Sequence, residues 1–478
     1  MSARIALNLL GQRRYLPLLV AQALGAFNDN FFRYALVTLV AYQGMTVMDL
    51  PSAVLVPIAA SLFTLPIFLF SAMAGRVSDV FDRTRVLRFT KFAEIWLMLL
   101  AGTGFLLENP WILMGTLFLM GVQSAFFAPA KNAALPTLLE PQELVPGNAL
   151  ISGSLNMAVL LGVGFGTVLI GGEGGAGLVA AILVAVAVVG WLSMRQLPPA
   201  RPPEDESRLG IFETYWSWTR YPSFMGPENA SAKTVWAFVL RPVMILLFPL
   251  IVLIIELILV LWVAFVRPLV LRPLIGAAWF WMLAASIVTL MPNFARDVLG
   301  ADATTVLFFS ALFTIGAAIG AVLCGTLSGK GDALPFTIAG AIGLVIFPLD
   351  VAWQTIGNPP VPADAVLVSS AEFIADSGNW RLIADLGLAA ISAGLFVVPL
   401  QAMAQRRAPA QLRGRLLAAG GILNAATATL GQATLAILAM FGLPIPTAFV
   451  LIALVSAAFA GLTFWRWWIG HRGKDAIA

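Results

Sequence analysis

The sequence predicts an all-α membrane protein with twelve transmembrane helices in two six-helix halves, and three observations carry that expectation. Of 478 residues, 60% are apolar and only 11% are charged, far from the balance of a soluble domain. Apolar runs near twenty residues, enough to cross about 30 Å of hydrocarbon, recur along the whole chain. The basic residues alternate with those runs: with the N-terminus in the cytoplasm, every Lys and Arg except Arg33, Arg296 and Arg381 falls on the cytoplasmic side.

Charged or Gly/Pro breaks delimit first-half spans near 17–43, 51–74, 86–107, 110–128, 148–170 and 174–194. Six more follow near 274–292, 303–326, 335–356, 381–404, 416–440 and 445–468. The stretch before the first span, Met1 to Tyr15, has three arginines and no apolar core, so span 1 is expected to act as an uncleaved signal. The domains are then 1–195, a cytoplasmic linker 196–273, and 274–478, with both termini cytoplasmic. Within the linker, 242–266 ("PVMILLFPLIVLIIELILVLWVAFV") carries a single charge, Glu256, and is long enough to cross. A thirteenth crossing would carry Arg406, Arg407, Arg413 and Arg415 outside. Parity therefore argues for a re-entrant or in-plane element broken at Pro249, with a true extra span as the alternative.

The halves echo each other after their fourth spans. "FFAPAKNAALPTLLEPQELVPGNALISGSLN" aligns with "LFVVPLQAMAQRRAPAQLRGRLLAAGGILN", matching Pro129 to Pro399, Pro141 to Pro409, Leu144 to Leu412 and Asn156 to Asn424. A duplicated six-helix unit is the plan that builds transporters with a site between halves; chance similarity of Ala/Leu/Gly-rich helices is the alternative.

Several function classes are excluded early. Cys324 and His471 are the only residues of their kinds, which removes an intrachain disulfide and a Cys/His metal site. Gly162, Gly164 and Gly166 lie inside an apolar span, where they serve helix contact and not a nucleotide loop. Neither a cofactor nor a nucleic-acid partner is expected.

The polar residues inside spans are the candidates for function. "GAFNDNFFR", Gly25 to Arg33, sets Asn28, Asp29, Asn30 and Arg33 in span 1, where an isolated central charge costs about 3 kcal/mol or more. Asp29 and Arg33, at i and i+4, share a helix face, whereas Asn28 and Asn30 fan away from it. Lys91 and Glu94, at i and i+3 on span 3, read equally as a structural ion pair or a substrate contact. Lys131, at the cytoplasmic end of span 4, either snorkels or meets a headgroup. Gln123, Asn156, Asn424 and Gln432 read as helix-packing hydrogen bonds. Trp279, Phe280 and Trp281 read as an interfacial belt, as do Trp465, Trp467 and Trp468, and 209–224 as an interfacial segment.

Between spans 2 and 3 stands "GRVSDVFDRTRVL", with Gly75, Asp79, Asp82, Arg83 and Arg85. Here the sequence resembles the major facilitator superfamily, whose loop signature is a glycine, an aspartate four residues on, and a basic cluster. The resemblance implies a gating role: Gly75 for close helix approach, Asp79 for a helix dipole, Arg83 and Arg85 for ion pairs that break as the halves rock. Asp82 departs from the pattern, where glycine is usual. Together with "FNDNFFR", "FFAPAKNAALPTLLEPQELVPGNAL" and "AAWFWMLAASIVTLMPNFARDVLGAD", the motif is similar to the bacterial lysophospholipid transporter family. That family includes the transporter halves of fusions with an acyltransferase and an acyl-carrier-protein ligase. The insert 242–266 does not match it. A glycerolipid acyltransferase needs a histidine with an aspartate five residues on, and His471 is followed by Ala476 there. The chain is therefore not expected to be an enzyme, and reacylation belongs to a separate acyltransferase or ligase.

The resemblance implies a flippase that moves lysophosphatidylethanolamine-like lipids from the outer to the inner leaflet of a bacterial inner membrane. Asp29, near the bilayer midplane, would accept the headgroup ammonium, and Arg33, one turn outward, would hold Asp29 ionised and meet the phosphate. A permanent Asp29–Arg33 pair is the alternative reading of those residues. At the level of function the alternatives are a proton-coupled exporter of drugs or other amphiphiles, and a non-transporting membrane scaffold for a lipid acyltransferase.

Overall fold

The computed structural model describes residues 2–140, 142–201, 241–327, 334–362, 364–408 and 413–475, and at a minority of these, Asp79 among them, the backbone alone. The first half contains α1 (Ser2–Leu9), α2 (Leu16–Tyr42), α3 (Ser52–Val80), α4 (Arg83–Leu106), α5 (Pro110–Leu138), α6 (Leu144–Leu169) and α7 (Gly175–Arg195). After the linker come α8 (Arg241–Phe265), α9 (Pro268–Asn293, prolonged by a π-helical turn) and α10 (Ala303–Leu327). The chain continues through α11 (Leu334–Thr355), the short α12 (Ser370–Ala375), α13 (Trp380–Arg407), α14 (Arg413–Met440) and α15 (Pro446–Asp475). Twelve of these helices coincide with the expected spans. The segment 209–224 and the side chains of Trp465, Trp467 and Trp468 lie outside the described residues.

Local sequence accounts for the ends. Asp82 caps α4, accepting from the Thr84 amide at 2.9 Å, and the same carboxylate accepts from the Ala200 amide at 3.3 Å. The aspartate that departs from the superfamily pattern is thus an N-cap that also ties down the chain after α7. Asn109 caps α5 through Trp111 and Ile112, and Pro110 occupies the first turn. Among the described residues, ten helices are long and apolar enough to cross a membrane by composition. α2 is not one of them, because its polar patch dilutes 27 otherwise apolar residues. It is held inside the bundle instead, against α6 and α7. A Cβ at Gly162 or Gly166 would stand 2.6 or 2.5 Å from the Phe27 or Phe31 carbonyl oxygen, so only glycine permits this α2–α6 approach.

The two halves repeat one packing pattern. α2 on α6, α3 on α5, and α4 on both α5 and α7 recur as α9 on α14, α10 on α13, and α11 on both α13 and α15. Between halves, α3 packs along α14, and α6 packs more lightly on α10. We call the end bearing α1 and the α3–α4 turn the basic end, and the end bearing Asp297, Asp302, Glu372 and Asp376 the acidic end. At the acidic end the Tyr42 hydroxyl donates to the Pro292 carbonyl at 3.3 Å, and Asn293 Nδ2 donates to the Ser52 carbonyl at 3.2 Å. At mid-depth Thr64 donates to Gln432 Oε1 and Thr429 donates to Thr64, both at 2.8 Å. None of the described hydrogen bonds joins the halves at the basic end.

The linker's apolar run is a single helix, α8, unbroken at Pro249 and about 37 Å long at 1.5 Å per residue. It lies on α3 and α14. Leu253, Glu256 and Ala264 turn inward, while Ile254, Ile255, Ile258, Leu259 and Trp262 are exposed. The belt expected around Trp279 is also revised. Trp279 and Phe280 are buried, with Trp279 stacked on Phe459 at 5.3 Å between ring centroids, because α9 is enclosed by α13 and α14. Trp281 alone stays partly exposed, and its Nε1 meets the Asn424 amide oxygen at 3.2 Å.

Candidate functional site

Gly25, Asp29 and Arg33 recur every four residues along one face of α2. Asp29 is half-buried, and its Oδ2 accepts from the Ser124 hydroxyl of α5 at 3.4 Å. Arg33 does not pair with it. The guanidinium carbon lies 4.2 Å from the centroid of the Phe63 ring on α3, and Arg33 Nε has no hydrogen-bond partner. The two charges expected to neutralise each other therefore point to different helices, one turn or about 6 Å apart along the axis.

Behind Asp29 lies a closed layer. Lys91 Nζ and Glu94 Oε2 are 2.5 Å apart, with side-chain exposures of 2% and 5%. Gln123 Nε2 donates to Glu94 Oε2 and to the Thr90 carbonyl, both at 3.3 Å, and Ser124 Oγ lies 3.4 Å from Gln123 Oε1. The Lys91 ammonium also stands 5.0 Å over the Phe127 ring. A Cβ at Gly25 would collide with that ammonium, so the glycine opening the polar patch is the space that Lys91 occupies. In this conformation the pair is enclosed, and its charges are met within the protein.

The remaining candidates separate. Asn28 is fully buried in this conformation and donates to the Leu183 carbonyl of α7 at 3.0 Å; the 100° turn from Asp29 accounts for its facing α7. Asn30 donates to the Ala26 carbonyl of its own helix at 2.8 Å. Lys131 is half-buried and seven residues beyond Ser124 on the same face of α5, about 10 Å nearer the basic end. Sequence reasoning missed Ser124 and Phe63. Ser124 had a signal, since it stands seven residues before Lys131 and so shares its face. Phe63 had none, because a ring in an apolar span looks like any other.

In the α3–α4 turn, Arg83 is buried and donates to the Ser78 carbonyl at 3.3 Å and to the Thr137 hydroxyl at 2.6 Å, fastening α4 to the end of α5. Arg85 is exposed. A Cβ at Gly75 would meet nothing within 4 Å, so the close helix approach expected there is not made in this conformation. The Asp79 side chain lies outside the described residues.

The model of the Major Facilitator Superfamily matches residues 18–375. The chain belongs to that superfamily. This facilitator is 26% identical over 459 residues, 93% of its own length and 94% of the relative's, to the lysophospholipid transporter LplT of Enterobacter sp. strain 638. It is likewise 26% identical over 458 residues to that of Escherichia coli O1:K1 / APEC, covering 94% of each chain. Among solved structures, the facilitator superposes on a POT family transporter in complex with 5-aminolevulinic acid with a TM-score of 0.62 at 11% identity, over 93% of this chain and 95% of that one. A peptide transporter POT in complex with sulfate gives 0.60 at 16% identity, over 97% and 98%. The protein is a multi-pass membrane transporter and not an enzyme.

Proposed function

We propose that the protein moves lysophospholipid from the outer to the inner leaflet of a bacterial inner membrane by alternating access, with the basic end and both termini in the cytoplasm. One observation carries this reading: Asp29 and Arg33 stand one turn apart on α2, each held by a different helix, with no salt bridge described between them. A headgroup with an ammonium and a phosphate offers two opposite charges at a similar separation. Asp29 would take the ammonium and Arg33 the phosphate, while the acyl chain stays in apolar surroundings, so every buried charge is compensated when the site is filled. Lys131, nearer the basic end, gives the phosphate a second cation on the way to the cytoplasm. The names of the relatives support this substrate class, and the hydrogen bonds that join the halves at the acidic end support a cytoplasm-facing state. Reacylation would fall to a separate enzyme.

Proteoliposomes test the reading. Flipping of lysophosphatidylethanolamine at neutral pH without a proton gradient is the expected result. Asp29→Asn should insert normally and flip poorly, and Asp29→Leu with Arg33→Leu should remain inactive. Strict dependence on a proton gradient would move the assignment to a proton-coupled exporter, which a lone carboxylate such as Asp29 would serve. No movement of any amphiphile would leave the scaffold reading. Recovery of flipping in the double variant would defeat the substrate role of this pair.

A further inference from the structure

One cavity lies away from the seam. It is a groove of about 560 Å³ over α5, where α3 and α4 both pack on α5 but scarcely touch each other. Its walls are apolar, with Phe89, Ala93 and Leu97 of α4 facing Val122 and Phe126 of α5. Phe89 is 72% exposed and Leu119, on the rim, 42%, which in a membrane bundle means that they face hydrocarbon. At the basic end the groove closes on Asp82 and Arg85. Asp82 is already engaged as the cap of α4, whereas Arg85 is exposed and makes no described hydrogen bond or ion pair. Thr90 and Gln123 form the inner wall, and behind them stands Glu94 with Lys91.

We infer that this groove is a binding site for one acyl chain of a resident glycerophospholipid of the basic-end leaflet, with its phosphate on Arg85. The volume falls in the range of pockets that enclose a small ligand. From Arg85 to Leu97 is twelve residues, about 18 Å along α4, slightly more than the roughly 15 Å of one leaflet's hydrocarbon. A chain lying along α4 is therefore covered from its ester end to its methyl end. The charge is complementary: one free cation stands where the groove meets the headgroup layer, and an arginine is the side chain suited to phosphate. The occupant comes from the bilayer and not from the seam, because the Thr90–Gln123 wall and the buried Lys91–Glu94 pair separate the groove from Asp29. The lipid backs that wall, so it would brace the polar layer from outside without entering the transport path.

The probe is a phosphatidylethanolamine with a photoactivatable group at one chain terminus, incorporated with the full-length protein into nanodiscs. Cross-links should map to Ala93–Leu97 and to Leu119–Phe126. Arg85→Ala should lower labelling about tenfold, the loss expected for one charge-assisted phosphate contact. Ala93→Trp, which fills the groove from a half-buried position, should abolish it. Trp353→Ala, at another lipid-exposed site, is the control and should change nothing. Labelling spread evenly around the perimeter, or unchanged in both groove variants, would overturn the site. Competition by excess lysophosphatidylethanolamine would overturn the assignment to resident lipid, making the groove a substrate path. None of these readouts uses transport, so their failure is separable from failure of the flippase reading.

Discussion

Arg33 lies on the ring of Phe63, with its guanidinium carbon 4.2 Å from the centroid, and leaves Asp29 to the Ser124 hydroxyl at 3.4 Å. The ring holds the cation without an ion-pair partner among the described residues, which keeps the guanidinium and the carboxylate apart in this conformation. A contact of this kind stabilises by about 0.5–2 kcal/mol. Phe63→Leu keeps an apolar side chain but removes the π face, letting Arg33 turn toward Asp29. Binding of lysophosphatidylethanolamine to purified protein should weaken roughly 2- to 30-fold, with the membrane yield unchanged. Unaltered affinity would show that the ring does not hold the two charges apart.

The Lys91–Glu94 pair should answer mutation differently from Asp29 and Arg33. Removing one partner of an enclosed ion pair strands the other, at a cost of about 3–5 kcal/mol, whereas replacing both by apolar residues is often nearly neutral. Lys91→Met should therefore lower the thermal midpoint sharply, and Lys91→Met with Glu94→Leu should recover most of it. A double variant no more stable than the single one would show that Glu94 does more than neutralise Lys91.

Gly25→Ala places a methyl group where the Lys91 ammonium sits. It should destabilise the protein by about 1–3 kcal/mol, the usual cost of overpacking. Shortening the flexible partner with Lys91→Met should relieve part of that penalty, so the two changes should be less than additive. Strict additivity in thermal melts would place Lys91 elsewhere.

At the acidic end, Tyr42→Phe and Asn293→Ala each remove one hydrogen bond between halves. Each bond contributes about 1 kcal/mol net, roughly a fivefold shift toward opening of that end. Spin labels on cysteines at Met48 and Asn358, both exposed, in a Cys324→Ser background should report a longer-distance population that grows in each variant. An unchanged distance distribution in the double variant would mean that the apolar cluster in which Tyr34 and Val163 join buried residues of the second half closes that end alone.

Tyr15, just before α2, is buried and donates its hydroxyl to the Gly147 carbonyl at 2.6 Å; burial pushes the phenol up to about 12. The folded state thus favours the protonated form. The resulting stabilisation is complete below the ordinary tyrosine value near 10 and is lost as pH rises through the folded value. Wild-type stability should fall between pH 10 and about 12, and Tyr15→Phe should flatten that limb in a melting series. A limb of equal slope in the variant would assign the loss to other groups.

Hydropathy periods and basic loops are local properties, and they determined the twelve helices, the division into halves and the presence of Asp29 and Arg33 on one face of α2. Helix geometry alone also separated Asn28 from Asp29. What the face meets is a different matter. Whether Arg33 takes Asp29, four residues away, or Phe63, thirty residues away, depends on how closely α3 approaches α2, and no spacing within α2 encodes that distance. Likewise Lys91 and Glu94 are adjacent on any helix, but their enclosure required Gly25 from α2 and Gln123 from α5. Proline at 249 promised a break, yet α8 runs straight through it, because packing on α3 and α14 outweighs one residue's local preference. The tertiary structure decided partners and enclosure for one reason: a buried charge takes its state from whichever helix fills the space beside it, and that helix comes from elsewhere in the chain.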